Sequence, residues 1–139
     1  MPDDLPSLLR AWNTGMIAFD VVLGTGTVLA PRTTLKALGH AKPSADAEAL
    51  FRRCGPIWLT FAAAHTVAAV RGRRRDWWAL AWLRATELTT DALWAATSPA
   101  FKRPGARVSL ALAGVANGGM ALGFAWLSDR GRRARGVKS

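Results

Sequence analysis

The side chains best placed to do chemistry are three charged residues inside one apolar stretch, Arg84, Glu87 and Asp91. On an α-helix, residues three and seven positions apart lie on one face, so the guanidinium and both carboxylates share a narrow stripe. Flanking carboxylates can neutralise a guanidinium, whereas a lone charge at the centre of a membrane helix costs roughly 2.5–3.5 kcal/mol. We therefore predict a buried polar stripe between helices.

Three more polar residues lie in other apolar stretches. Asp20 needs either a cationic partner or a proton, and Arg84 is the partner that we predict; the alternative is that Asp20 reaches water at the headgroups. His65 has no second histidine nearby on its helix, which favours a hydrogen bond between helices over metal or haem ligation. Asn117 is expected to hydrogen-bond between helices. The candidate ligand-binding residues are Asp20, His65, Arg84, Glu87, Asp91 and Asn117. No catalytic residue is assigned.

These residues are carried by four apolar runs, at about 11–30, 54–70, 77–97 and 108–128. Each run has roughly the length needed to cross a bilayer, although the second is near the lower limit. The longest connection contains a short predicted interfacial helix that ends at Gly39, and Ser44 is a predicted N-cap of a helix that leads into the second run. The fold class is all-α, an integral membrane four-helix bundle with that interfacial helix between helices 1 and 2. The domain prediction is a single transmembrane domain over residues 1–139, of which 129–139 form a basic tail.

The net charge of +10 is concentrated in the connections and the tail, between or outside the apolar runs. This placement favours contacts with anionic membrane lipid over nucleic-acid binding. Ten basic residues fall on the side of the two termini and eight on the other. By the positive-inside rule, we predict a multi-pass protein of the cytoplasmic (inner) membrane with both termini in the cytoplasm.

A soluble four-helix protein is the structural alternative, because the mean hydropathy of the whole chain is only slightly positive. A helix of a soluble bundle keeps one polar face, and the fourth apolar run has no such face. That run instead carries small residues at helical spacing around Asn117. They favour close helix packing, either inside the chain or in a homodimer, and they are Gly114, Gly118, Gly119 and Gly123.

The layout resembles the DoxX-like class of small bacterial four-span membrane proteins. The resemblance rests on LGTGTVLAPRTTLKALG (23–39), the basic turn RGRRRD (71–76) and the charged span LRATELTTD (83–91). It implies a four-helix bundle, and some members of that class are associated with quinone-linked or redox membrane complexes. A fainter likeness is to four-span sterol isomerases, which place carboxylates in a membrane-embedded pocket.

Three functions remain open at this stage. The polar stripe could line a pocket for a lipid, a quinone or another amphipathic molecule, in a binding protein or an accessory subunit of a membrane complex. It could instead transfer protons in an intramembrane isomerase through Glu87 or Asp91, or drive proton-coupled transport. It could also be a purely structural ion network. Cys54 is the single cysteine, and no cofactor or metal site is predicted.

Overall fold

The computed structural model describes residues 4–98 and 104–136. In this part of the chain there are six α-helices and no β-strand, which confirms the all-α prediction. The helices are α1 (Leu5–Leu29), α2 (Pro31–Ala37), α3 (Ala45–Arg52), α4 (Gly55–Arg71), α5 (Arg74–Thr97) and α6 (Pro104–Gly136).

The four long helices pack mainly as two pairs, α1 with α4 and α5 with α6, and α4 joins the pairs by packing on α5. Gly72 ends α4 in the left-handed conformation, with φ at 58°. The link to α5 is short, so α4 and α5 lie next to each other. The apolar core lies beside this link, where the ring of Trp77 packs on that of Phe124 at 5.6 Å between centroids. The core therefore ties α5 to α6 at one end of the molecule.

The connection between α1 and α4 follows the predicted local signals. Pro31 starts α2 and Gly39 follows its end with φ at 99°, a conformation that suits glycine. The Ser44 side chain accepts a hydrogen bond from the Ala47 amide, as an N-cap does. The prediction that this helix runs into the second apolar run is wrong, because the chain turns at Arg53–Cys54 and separates α3 from α4.

The glycines of α1 and α4 bring these helices into backbone contact. A Cβ atom added to Gly24 would stand 2.9 Å from the carbonyl oxygen of Gly55. In α6, Gly114 and Gly118 face Leu88 of α5, and Gly123 faces Leu9 of α1. The predicted small-residue stripe is therefore partly used inside the chain, while Gly119 borders open space and dimerisation through the stripe stays a prediction.

By length and composition, one segment of the described residues could cross a bilayer, Leu110–Arg130 in α6. Two of the other long helices do not meet this criterion for a membrane span, for different reasons: α4 has only 17 residues, and α5 carries Arg84, Glu87 and Asp91 in its middle. Of the predicted four-span membrane bundle, the structure therefore confirms a helical protein with one candidate span, and the other three spans stay a prediction. The basic segment from Asp129 onward does not form a separate tail as far as Gly136, because α6 continues through it.

Candidate functional site

Arg84 lies at the centre of a buried polar network that joins α5 to α1 and α4. Arg84 is only 2% exposed, and its Nη2 donates a hydrogen bond of 2.8 Å to Oδ2 of Asp20, which is 1% exposed. Nε donates to Nε2 of His65 at 3.1 Å, and Nη2 also contacts that nitrogen. The predicted pairing of Arg84 with Asp20 is present in the structure, and His65 makes the predicted hydrogen bond between helices.

The hydrogen bonds of His65 define its tautomer. Arginine can only donate, so Nε2 of His65 must accept from Arg84, and the ring proton is on Nδ1. That proton is donated to Oδ1 of Asn13 over 2.6 Å, and Nδ2 of Asn13 donates to the His65 carbonyl at 3.1 Å. Asn13 is fully buried and completes a network of four side chains on three helices.

The other two carboxylates of the stripe lie apart from this network. Neither Glu87 nor Asp91 has a basic nitrogen within 4.0 Å among the described residues. Asp91 instead accepts a hydrogen bond of 3.0 Å from Nδ2 of Asn117, which is the predicted role of that asparagine. The carboxylate bonded to Arg84 therefore comes from α1, as predicted, and the polar stripe of α5 divides into two parts.

Glu87 and Asp91 line a cavity of about 800 Å³ between α1, α5 and α6. Volumes of this order suit a small-molecule ligand. Five of the six predicted site residues border the cavity, and His65 lies behind Arg84 and does not. The polar part of the lining consists of Asp20, Arg84, Glu87, Asp91 and Asn117, and aromatic walls are supplied by Phe19, Trp58 and Trp94.

The cavity exists because α1 and α6 make few contacts with each other. They meet where Leu9 packs on Gly123, near one end of the molecule. Toward the other end the space between them is left open, and Leu38 and Gly39 of the link after α2 contribute to its lining. Oδ1 of Asp20 is buried with no hydrogen-bond partner among the described residues.

The α2–α3 link also brings an aromatic pair to the edge of the cavity. His40 stacks on Trp94, with centroids 5.9 Å apart and planes 15° from parallel. The imidazole ring is half-buried, and its Nε2 atom has no hydrogen-bond partner in the described part of the chain.

Sequence reasoning missed several of these residues as members of the site. Asn13 could have been found, because it lies seven residues before Asp20 and so shares its helix face. Trp58 lies seven residues before His65 and Trp94 three after Asp91, so each shares a helix face with a predicted site residue. An interfacial ring and a cavity wall nevertheless have the same pattern in sequence. Only the packing of α4 and α5 distinguishes the two.

Comparison of the chain with protein-family models, with curated proteins and with solved structures finds no match. The functional argument therefore rests on the site itself. Among the residues described, no group of three or more His, Cys, Asp or Glu side chains is arranged to hold a metal ion. What the site does offer is a set of carboxylate and amide groups at the side of a large apolar cavity.

Proposed function

We propose that this chain is a multi-pass membrane protein whose four long helices cross the bilayer, and that its cavity binds an amphipathic small molecule such as a lipid or a quinone. The four-span layout is the one that the resemblance to DoxX-like proteins implies. The observation that carries the proposal is the combination of large apolar side chains exposed on the lateral surface with charged and amide groups buried in the interior.

The lateral surface of the long helices carries large apolar side chains. Val22, Val115 and Leu122 are 72%, 76% and 76% exposed, and similar exposure occurs on α4 and α5 at Val70 and Trp82. Large exposed apolar side chains occur on every long helix, and extensive apolar surface marks contact with a membrane or with protein. The interior, by contrast, buries charged and amide groups, which suits helices that have hydrocarbon around them.

Threonine side chains on these helices support the same conclusion. The hydroxyls of Thr86, Thr89 and Thr90 are on the exposed side of α5, and each donates to the carbonyl four residues earlier. Thr60 and Thr66 of α4 do the same. A hydroxyl satisfied by its own helix can face hydrocarbon at little cost, because it leaves no donor unpaired.

The helix lengths are compatible with this arrangement. At 1.5 Å per residue, the 17 residues of α4 extend about 25 Å, somewhat less than the roughly 30 Å of a hydrocarbon core. The 24 residues of α5 and the 25 of α1 exceed that thickness. Local thinning of the bilayer or basic side chains that reach the headgroups accommodate a short span, and α4 ends in such a residue, Arg71.

The two parts of the polar stripe have different roles in this proposal. The Arg84 network is closed, with each member bonded to another across a helix boundary, and it supports a structural role in fixing α1, α4 and α5 together. Glu87 and Asp91 face the cavity outside that network, so they are the groups offered to a ligand. Apolar walls with a few convergent polar groups are the usual composition of a small-molecule site.

Ligand binding is tested by purifying the protein in a mild neutral detergent and recording its native mass spectrum. We expect a bound species that is lost in an Ala113→Trp variant, because Ala113 lines the cavity and an indole would fill it. Val115→Trp is the matched control, since Val115 is on the same helix and 76% exposed to the outside. Loss of the bound species in both variants, or its absence from the unmodified protein, would contradict the proposal.

The topology is tested with single cysteines in a Cys54→Ala background. Lys42→Cys reports the α2–α3 side, and Arg73→Cys reports the α4–α5 link on the side of the termini. If both termini are cytoplasmic, a membrane-impermeant maleimide added to intact cells labels Cys at position 42 and not at position 73. Labelling of both positions to the same extent, or recovery of the protein in the soluble fraction, would refute four spans.

A further inference from the structure

Glu87 and Asp91 give the cavity an uncompensated negative charge. Counted as ionised, the carboxylates of Asp20, Glu87 and Asp91 outweigh the single guanidinium of Arg84, so the lining carries a formal charge of −2. The Nε and Nη2 atoms of Arg84 are bonded to His65 and Asp20, and neither donates to Glu87 or Asp91. A monovalent cation bound beside Glu87 and Asp91 would reduce this formal charge to −1.

The hydrogen-bonding capacity of the lining has the same imbalance. Ionised carboxylates only accept hydrogen bonds, and Glu87 and Asp91 both border the cavity. Asn117 gives one donor to Asp91, and its side-chain oxygen is one more acceptor. A ligand that hydrogen-bonds to this surface must therefore supply donors, because a buried acceptor without a hydrogen bond costs free energy.

The aromatic part of the lining fits the same kind of ligand. Phe19, Trp58 and Trp94 border the cavity together with the carboxylates. The face of an aromatic ring attracts a cation, most strongly when the cation is removed from water, and such rings recognise ammonium groups in many proteins. The rings also provide apolar surface for a hydrocarbon chain.

We propose that the ligand of this cavity is an amphiphile with a cationic amine head, whose ammonium group binds at Glu87 and Asp91 while its hydrocarbon part lies along the apolar walls. This inference rests on the proposed function, because it assumes that the cavity binds an amphipathic molecule. It goes further by naming the charge of the head group. A neutral lipid, a quinone or an anionic amphiphile would leave both carboxylates without a cationic partner.

The test compares three probes that share one chain length and differ in head-group charge: decylamine, decanol and decanoate. Each is titrated calorimetrically into the full-length protein in neutral maltoside micelles, with protein-free micelles as the blank. We expect decylamine to bind at least about tenfold more tightly than decanol, the discrimination that one charge-assisted hydrogen bond provides. Decanoate should bind more weakly than either.

The variant Glu87→Gln/Asp91→Asn keeps the shape of the lining and removes its excess charge, so the preference for decylamine should disappear. Asp91→Asn alone should reduce the preference for decylamine. This single variant provides a second measurement if the double variant folds poorly. Asp129→Asn is the matched control, because Asp129 is exposed in α6 and pairs with Arg74 away from the cavity. It should leave the preference unchanged.

The outcomes separate this inference from the proposed function. Equal or tighter binding of decanol, abolished by Ala113→Trp, would overturn the amine head group and leave the cavity as a binding site. A preference for decylamine that survives in the double variant would also overturn the inference. Absence of binding by all three probes would refute both proposals together.

Discussion

Removal of the Arg84 side chain is the perturbation whose effect the structure defines most clearly. Arg84→Ala leaves Asp20, which is 1% exposed, without its ionic partner and deprives Nε2 of His65 of its donors. Breaking one side of a buried ion pair costs about 3–5 kcal/mol, because the remaining charge stays in a low-dielectric interior. We therefore expect the variant to lose that much free energy of unfolding.

Two variants control for less specific effects. Arg74→Ala removes the same side chain from a surface pair, in which Arg74 and Asp129 are 45% and 55% exposed, and such pairs contribute less than about 1 kcal/mol. Glu87→Gln changes a carboxylate that has no basic group within 4.0 Å in the described residues. Its cost should also stay below about 1 kcal/mol, because no ion pair is broken and the amide keeps its shape.

The assay is equilibrium unfolding by sodium dodecyl sulfate in mixed neutral micelles. It is followed by near-ultraviolet circular dichroism, to which the packed rings of Trp77 and Phe124 contribute. The Arg84→Ala midpoint should shift far more than that of either control. If Arg84→Ala and Arg74→Ala proved equally mild, the buried network would not hold the helices together. If Glu87→Gln proved as damaging as Arg84→Ala, the division of the stripe into two parts would be wrong.

Three further predictions use the same unfolding assay or nuclear magnetic resonance. Gly24→Ala should destabilise the protein by about 1–3 kcal/mol because its Cβ would meet backbone of α4, whereas Gly119→Ala, in open space, should be neutral or slightly stabilising. The ¹⁵N chemical shifts of His65 should report a neutral ring with its proton on Nδ1, and a proton on Nε2 would contradict the assignment. Asn13→Leu should lower the free energy of unfolding by about 1–3 kcal/mol, because it leaves that proton without an acceptor. Phe124→Ala should cost about 3–5 kcal/mol because the ring is fully buried, and a change below 1 kcal/mol would show that the core is not packed as described.

Local signals in the sequence were sufficient for most of the secondary structure. Pro31, Gly39 and Ser44 mark helix ends through their own backbone preferences, so their effect does not depend on the rest of the chain. The long helices follow from four apolar runs separated by basic or glycine- and proline-containing connections. The extension of α6 through the basic segment to Gly136 was missed, because arginine is a good helix former and charge alone does not end a helix.

The sequence by itself determined which side chains must be buried together, since an aspartate, a histidine and an arginine inside apolar helices all need polar partners. It did not determine how the three carboxylates divide. The pairing of Asp20 with Arg84 was predicted, but only the tertiary structure decided that Glu87 and Asp91 face a cavity outside that pair, because this depends on where α1 crosses α5 and how far it stands from α6. Spacing within a helix fixes which residues share a face, and the packing of other helices on that face determines what each of them contacts.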